Sequence, residues 1–298
     1  MKSNIVFAIG TGRCGTTFLA KVLQNEPDIA SCHERSPLSD TFHRYFKWNQ
    51  LPIDHEGFLK HKEGYIHEDL KKAKISFEAS AYLSLSIEEL YKYFNAKFIL
   101  LVRSPEKVIN SYLNKSWYKH KVVRNDHDLP VSYQETDHFH HFMGRIVPNG
   151  PFFQEWNEYS RIGKLAWFWN VLNKRVIEQF ENIPDSHKRI VKIEDFDYAG
   201  YEEIIKFMGT HTQVDRSTYE KIRSSKPNTR KDNKFYLYQW KEEDITQFKE
   251  MVSEMSDYFG YSNNITNLID KESQVENDDK SADNTSLLKK IRNKLKGI

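Results

Sequence analysis

The order of strand-like and helix-like segments predicts an α/β fold with a mostly parallel central sheet, and three observations carry that expectation. Asn4 to Gly10 is a short, apolar and β-branched run that ends in glycine and gives way at Thr16 to helical spacing through Phe18, Leu19, Val22 and Leu23. Lys97 to Val102 (KFILLV) is apolar without interruption after its first residue, as a strand buried on both faces requires. Runs of this kind alternate with helical patterns along most of the chain.

Taken in order, the first strand and its helix are followed by strands expected at Ile29 to His33 and Ile75 to Glu78, and then by the buried run at Lys97 to Val102. Ser104 and Pro105 suit the N-cap and first turn of a helix reaching about Tyr118. Lys119 to Pro151 is polar, rich in histidine and weakly periodic, the composition of an insertion on the substrate side. A long helix is expected over Glu158 to Phe180, where Trp167, Phe168 and Trp169 belong to an apolar face and therefore to the core. Arg189 to Ile193 reads as a further strand. Beyond Tyr261 the stretch KESQVENDDKSADNTS lacks the apolar residues needed to fold, so residues 1–265 form the expected domain and 266–298 a disordered linker. That linker ends in SLLKKIRNKLKGI, residues 286–298, a basic amphipathic segment suited to weak peripheral contact with an anionic membrane.

A chain of 298 residues is long enough to bury a large core, and 39% hydrophobic with 29% charged residues is a globular composition. The formal net charge of +2 excludes bulk attraction to nucleic acid, so any anion site must come from local clustering. Two cysteines, Cys14 and Cys32, are too few for a disulfide framework, and the start runs into a strand without a long apolar stretch. A cytoplasmic protein in a reducing compartment is expected. Asp137, His138, His140 and His141 include no i, i+4 histidine pair and have no second cluster, so they read as a polar loop and no metal site is expected.

GTGRCGTT, Gly10 to Thr17, lies between strand and helix, where backbone N–H groups and a helix N-terminus favour an anion. As a Walker A loop it has Thr16 where lysine is needed. As a dinucleotide fingerprint it fits Gly10, Gly12 and Gly15, with Glu34 about 20 residues on as the ribose acid. A P-loop kinase and a dinucleotide-binding enzyme therefore remain open at this point. Arg13 weighs against the dinucleotide, because a cation within the loop suits a terminal, more highly charged group. A second segment, ILLVRSPEKVINSYLNK from Ile99 to Lys115, sets Arg103 just past a buried strand and Ser111 two turns into the next helix, a pairing that suits a phosphate monoester.

Together the two segments resemble the PAPS-dependent sulfotransferase family, PAPS being 3'-phosphoadenosine 5'-phosphosulfate. SCHERSP at Ser31 to Pro37, FEASAYLS at Phe77 to Ser84, IVKIEDF at Ile190 to Phe196 and YFGY at Tyr258 to Tyr261 are similar to further stretches of its glycan-type members, so the resemblance spans residues 4–261. It implies a three-layer α/β/α, P-loop-like fold, with PAPS as donor, adenosine 3',5'-bisphosphate as product, no metal, and a glycan or glycolipid hydroxyl (or an amine) as acceptor. By the same resemblance Gly12, Arg13, Cys14, Gly15, Thr16 and Thr17 hold the phosphosulfate, Arg103 and Ser111 the 3'-phosphate, and Glu34 is the catalytic base, with Arg13 assisting the chemistry. Glu34 is placed for this if the second strand neighbours the first, and His33, its neighbour on a strand of alternating faces, is not expected to share the role. The chain departs from the family pattern at Cys14, often Ser, and at Ala79, often Lys. The late basic loop KPNTRKDNK, Lys226 to Lys234, has no glycine, and Arg230 is its candidate nucleotide contact.

Overall fold

In the computed structural model, the structure describes residues 4–115, 117–119, 121–122, 145–225, 237–263 and 265. Five strands, β1 (Ile5–Gly10), β2 (Ile29–His33), β3 (Ile75–Ala79), β4 (Lys97–Val102) and β5 (Lys188–Lys192), form one sheet in the order β2-β3-β1-β4-β5. Every pairing is parallel. All strand ends that carry loops toward a ligand therefore lie on one edge, which is where such sheets bind.

The order corrects one expectation: β2 does not adjoin β1, because β3 lies between them and pairs with both. The buried β3, whose five residues are all shielded from solvent, satisfies the backbone of each neighbour. Glu34 is nonetheless tied to the same frame, its N–H donating to the Ala79 carbonyl at 2.9 Å, while Ser80 N–H donates to Ala8 at 2.9 Å.

Helices cover both faces. One core packs α1 (Thr16–Leu23) with α8 (Tyr198–Met208) and α9 (Arg216–Ser224) against Val6, Ala8, Phe77, Ile99 and Leu101. The other packs α3 (His55–Leu70), α4 (Ile87–Phe94), α5 (Pro105–Leu113), α7 (Arg161–Glu181) and α10 (Glu242–Phe259) against Phe7, Ile9, Phe98, Leu100 and Val102. Alternate strand residues face opposite cores, so the sheet is the middle of a three-layer α/β/α sandwich.

α5 stops at Leu113, five residues before the expected end, and Asn114 closes it. The expected long helix is present as α7, which starts three residues later than expected because the Ser160 hydroxyl caps it, accepting from Gly163 N–H at 3.1 Å; the short α6 (Phe152–Glu158) precedes it. A serine able to cap favours a helix start at its own position, which explains the later onset. Trp167, Phe168 and Trp169 are buried core residues as expected, at 9%, 0% and 0% exposure. The segment 123–144 with Asp137, His138, His140 and His141, the loop carrying Arg230, and the tail 286–298 lie outside the described residues.

Candidate active site

The loop between β1 and α1 is built by backbone conformations that a side chain opposes. Gly12 and Gly15 have φ of +82° and +103°, and a Cβ on Gly12 would stand 2.3 Å from the Tyr112 hydroxyl. Glycine is required there by both conformation and space. Arg13 itself is left-handed, with φ of 57°, which turns its side chain out of the loop toward α5. There its Nε donates to Ser111 Oγ at 2.7 Å, while Arg103 Nη1 donates to the Arg13 carbonyl at 3.1 Å. The two sequence segments that suggested a common site thus meet through direct hydrogen bonds. Cys14 is fully buried, and burial pushes its thiol up to about 11, so it contributes backbone and volume rather than a thiolate. Both cysteines are free.

Several residues that sequence reasoning passed over brace this loop. Tyr112 donates to the Thr11 carbonyl at 2.7 Å, and Ser84 Oγ donates to the Gly10 carbonyl at 2.7 Å while accepting from Gly10 N–H at 3.3 Å. Glu194 accepts from Ser104 N–H at 3.1 Å and from the Tyr261 hydroxyl at 2.9 Å, fixing the turn after Arg103. Position in IVKIEDF and YFGY was a signal for the last pair, and Ser84 and Tyr112 lie within the FEASAYLS and ILLVRSPEKVINSYLNK stretches, though neither was singled out.

Beyond β3, at the sheet's edge, β2 ends at His33 and the chain turns at Glu34, a non-glycine residue with φ of 48°. That turn breaks the alternation of faces on which the separation of His33 from Glu34 was expected. His33 Nε2 lies 3.1 Å from Thr17 Oγ1 and 3.2 Å from Thr16 Oγ1, and 3.9 Å from Glu34 Oε1. Both groups therefore stand beside the N-terminus of α1. Burial lowers the His33 pKa, favouring the neutral ring. Glu34 is raised to about 6, first by burial and then by repulsion from Asp40 and Glu78, with Arg13 acting in the opposite sense. Arg35 does not pair with Glu34; it is bound to Asp69 at 2.7 Å.

The two carboxylates that repel Glu34 share one buried lysine. Lys62 Nζ contacts Asp40 Oδ1 at 2.8 Å and Glu78 Oε1 at 2.9 Å, with exposures of 1%, 0% and 6% for the three side chains. Two acids on one cation leave the cluster short of positive charge, and Asp40 is raised to about 6 by burial. Glu78 also accepts from Arg35 N–H at 3.2 Å, which links the cluster to the turn that carries Glu34.

A parallel sheet with a glycine-rich anion loop at its strand ends, cross-tied to an arginine and a serine from the next strand and helix, defines a nucleotide-dependent group transferase. The chain matches the sulfotransferase domain model over residues 4–250 and belongs to that family, which generally draws its sulfonate from PAPS. It is a sulfotransferase. Among solved structures it is similar to the sulfotransferase STF9 from Mycobacterium avium, with 14% identity, a TM-score of 0.51 and coverage of 88% of this chain and 78% of that one. It also aligns with the sulfotransferase domain from the curacin biosynthetic pathway, at 13% identity, a TM-score of 0.49 and coverage of 87% and 98%. No curated protein matches the chain.

Proposed function

We propose that the chain transfers the sulfonate of PAPS to an acceptor hydroxyl or amine, with Glu34 as general base and the Gly10 to Thr17 loop holding the phosphosulfate. The observation that carries this reading is the left-handed turn at Glu34, which sets a carboxylate of raised basicity beside Arg13 and the start of α1. In the reaction the acceptor oxygen attacks sulfur, Glu34 takes its proton, and the bond from sulfur to the bridging oxygen breaks. The negative charge released on the 5'-phosphate falls among the N–H groups of the loop and the Arg13 guanidinium. Arg103 and Ser111 fit the 3'-phosphate: one fixes the loop backbone and the other accepts from Arg13, so both stand at the donor.

The acceptor is proposed to be a carbohydrate or glycolipid, supported by the SCHERSP and FEASAYLS stretches, which resemble glycan-type members. The protein is proposed to work in the cytoplasm, with residues 286–298 touching anionic membrane; no helix among the described residues is long and apolar enough to cross one. The test of the chemistry is single-turnover transfer at saturating PAPS. Glu34→Gln keeps size and hydrogen bonding but loses basicity, so the rate is expected to fall by about 10² to 10⁴ with nucleotide affinity held within a few fold. Near-normal transfer in Glu34→Gln with collapse in His33→Ala moves the base to the histidine.

A further inference from the structure

α2 (Pro37–Trp48) is inverted relative to an ordinary surface helix. Leu38, Phe42 and Tyr45 are exposed at 45%, 55% and 37%, while Asp40, Thr41, His43 and Arg44 are buried. Helices of soluble proteins normally turn their apolar stripe inward. The inward polar residues include Asp40, already bound to Lys62, and His43, whose Nδ1 meets Ser86 Oγ at 2.8 Å. Arg44 differs from both.

Its side chain is 1% exposed and, among the described residues, has no carboxylate against it. Nη1 donates to the Ala81 carbonyl at 3.4 Å, at the limit of a hydrogen bond, and Nε and Nη2 meet no acceptor among the described residues. The flat face lies 5.4 Å from the Phe168 ring, and the groups acting on its charge are the phenols Tyr112, Tyr118 and Tyr82. Burying a cation without a partner is costly, and the penalty is removed when an anion completes it. The location is next to the reacting groups. Tyr112 is the residue that holds the loop at Thr11, and Tyr82, which is partly exposed, lies in the field of Glu34, Arg44, Arg145 and Asp40 together. Arg145 is itself mostly buried over Trp117, and burial lowers it to about 10.

We propose that Arg44 binds an oxyanion carried by the acceptor, a carboxylate, sulfate ester or phosphate ester close to the group that is sulfonated. The proposal rests on the sulfonate-transfer reading and narrows it from an acceptor of unstated charge to an acidic one. An incoming oxyanion meets Nε and Nη2, the two donors in the fork geometry that carboxylates and ester oxyanions match. Arg44 meets Ala81, whose side chain lies against Gly12 of the donor loop, so the acidic group and the nucleophile belong to the same or adjoining units of the acceptor.

The test is thermal unfolding of the full chain saturated with adenosine 3',5'-bisphosphate, so that the phosphosulfate loop is filled. Glucuronate, glucose 6-sulfate, glucose 6-phosphate and neutral glucose are added at equal concentration and ionic strength. At least one anionic sugar is expected to raise the melting temperature where glucose does not, and the one that acts names the source of the oxyanion. Arg44→Met is expected to melt higher than the wild type without any sugar, because an uncompensated charge has been removed, and to lose the anion response. Arg44→Lys keeps the charge without the fork and is expected to show a weakened response. Equal effects of glucose and the three anions, an undiminished response in Arg44→Met, or an Arg44→Met chain that melts lower or does not fold each overturn the proposal; the last assigns the guanidinium to the core. If the bisphosphate fails to stabilise the wild type, the donor reading falls instead, and the proposal with it.

Discussion

The sides proposed to hold the donor and the acceptor solve the placement of charge in opposite ways. Around the donor, each polar element is tied to another part of the frame: Arg13 to Ser111, Arg103 to the Arg13 carbonyl, Tyr112 to Thr11 and Ser84 to Gly10. On the proposed acceptor side, charges are buried and incompletely matched, with two acids on Lys62, Glu34 raised to about 6, and Arg44 with two donors unused among the described residues. A donor that never changes rewards a rigid, satisfied cradle. Proton abstraction requires groups held away from the electrostatic state they would prefer in water.

Breaking the proposed acceptor side at Lys62, the cation between Asp40 and Glu78, is expected to have the largest effect. Lys62→Met leaves Asp40 and Glu78 buried without a partner and should cost about 3–5 kcal/mol of stability by chemical denaturation. A loss under about 1 kcal/mol would show that the cluster is not held as a charged triad. On the donor side, Arg103→Ala should weaken PAPS binding by about 1.5–3 kcal/mol while hardly changing affinity for the 3'-dephosphorylated analogue. Equal losses for the two nucleotides would remove Arg103 from the 3'-phosphate.

Glu34 sharpens the comparison through pH. Its folded pKa of about 6 lies above the ordinary 4.5, so the folded state binds the extra proton and Glu34 costs stability increasingly as pH rises from about 4.5 to about 6. Glu34→Gln should therefore be as stable as the wild type below that window and more stable above it, even as transfer is lost. A variant no more stable at pH 7 than at pH 4 relative to wild type would contradict the strained-base reading. The smallest expected effect is on the acid limb of kcat/KM. Asp40→Asn removes a negative neighbour, so the limb should move to lower pH by less than one unit, whereas a purely structural role for Asp40 would reduce the rate without moving it.

How much of this was visible in sequence differs between the same two sides. The loop and the Arg103 segment were legible because glycines with positive φ and a continuously apolar strand have few alternative meanings, and β4 begins and ends at the residues the apolar run marked. Strand order was not, since KFILLV records burial on both faces but not which strands lie beside it. The convergence of His33 with Glu34 was hidden in a left-handed residue that is not glycine. Lys62, Arg44 and Asp40 sit in helices, where polar residues ordinarily mean solvent; the inverted pattern of α2, with Leu38, Phe42 and Tyr45 outward, could have marked Arg44 and Asp40, and it takes structure to know which face is inside.

The placement of β3 separates transfer from recognition. Glu34 reaches the donor loop through backbone bonds, from its own N–H to Ala79, and from Ser80 to Ala8 at the head of the loop strand. From α2, Asp40 accepts from Ser80 Oγ at 3.4 Å within that span, but the spacing between the proposed base and the loop is set by the sheet backbone. The helix bearing Arg44 is then a replaceable cassette: chimaeras that exchange Pro37–Trp48 but retain Asp40 should change what is sulfonated while the machinery of transfer stays intact.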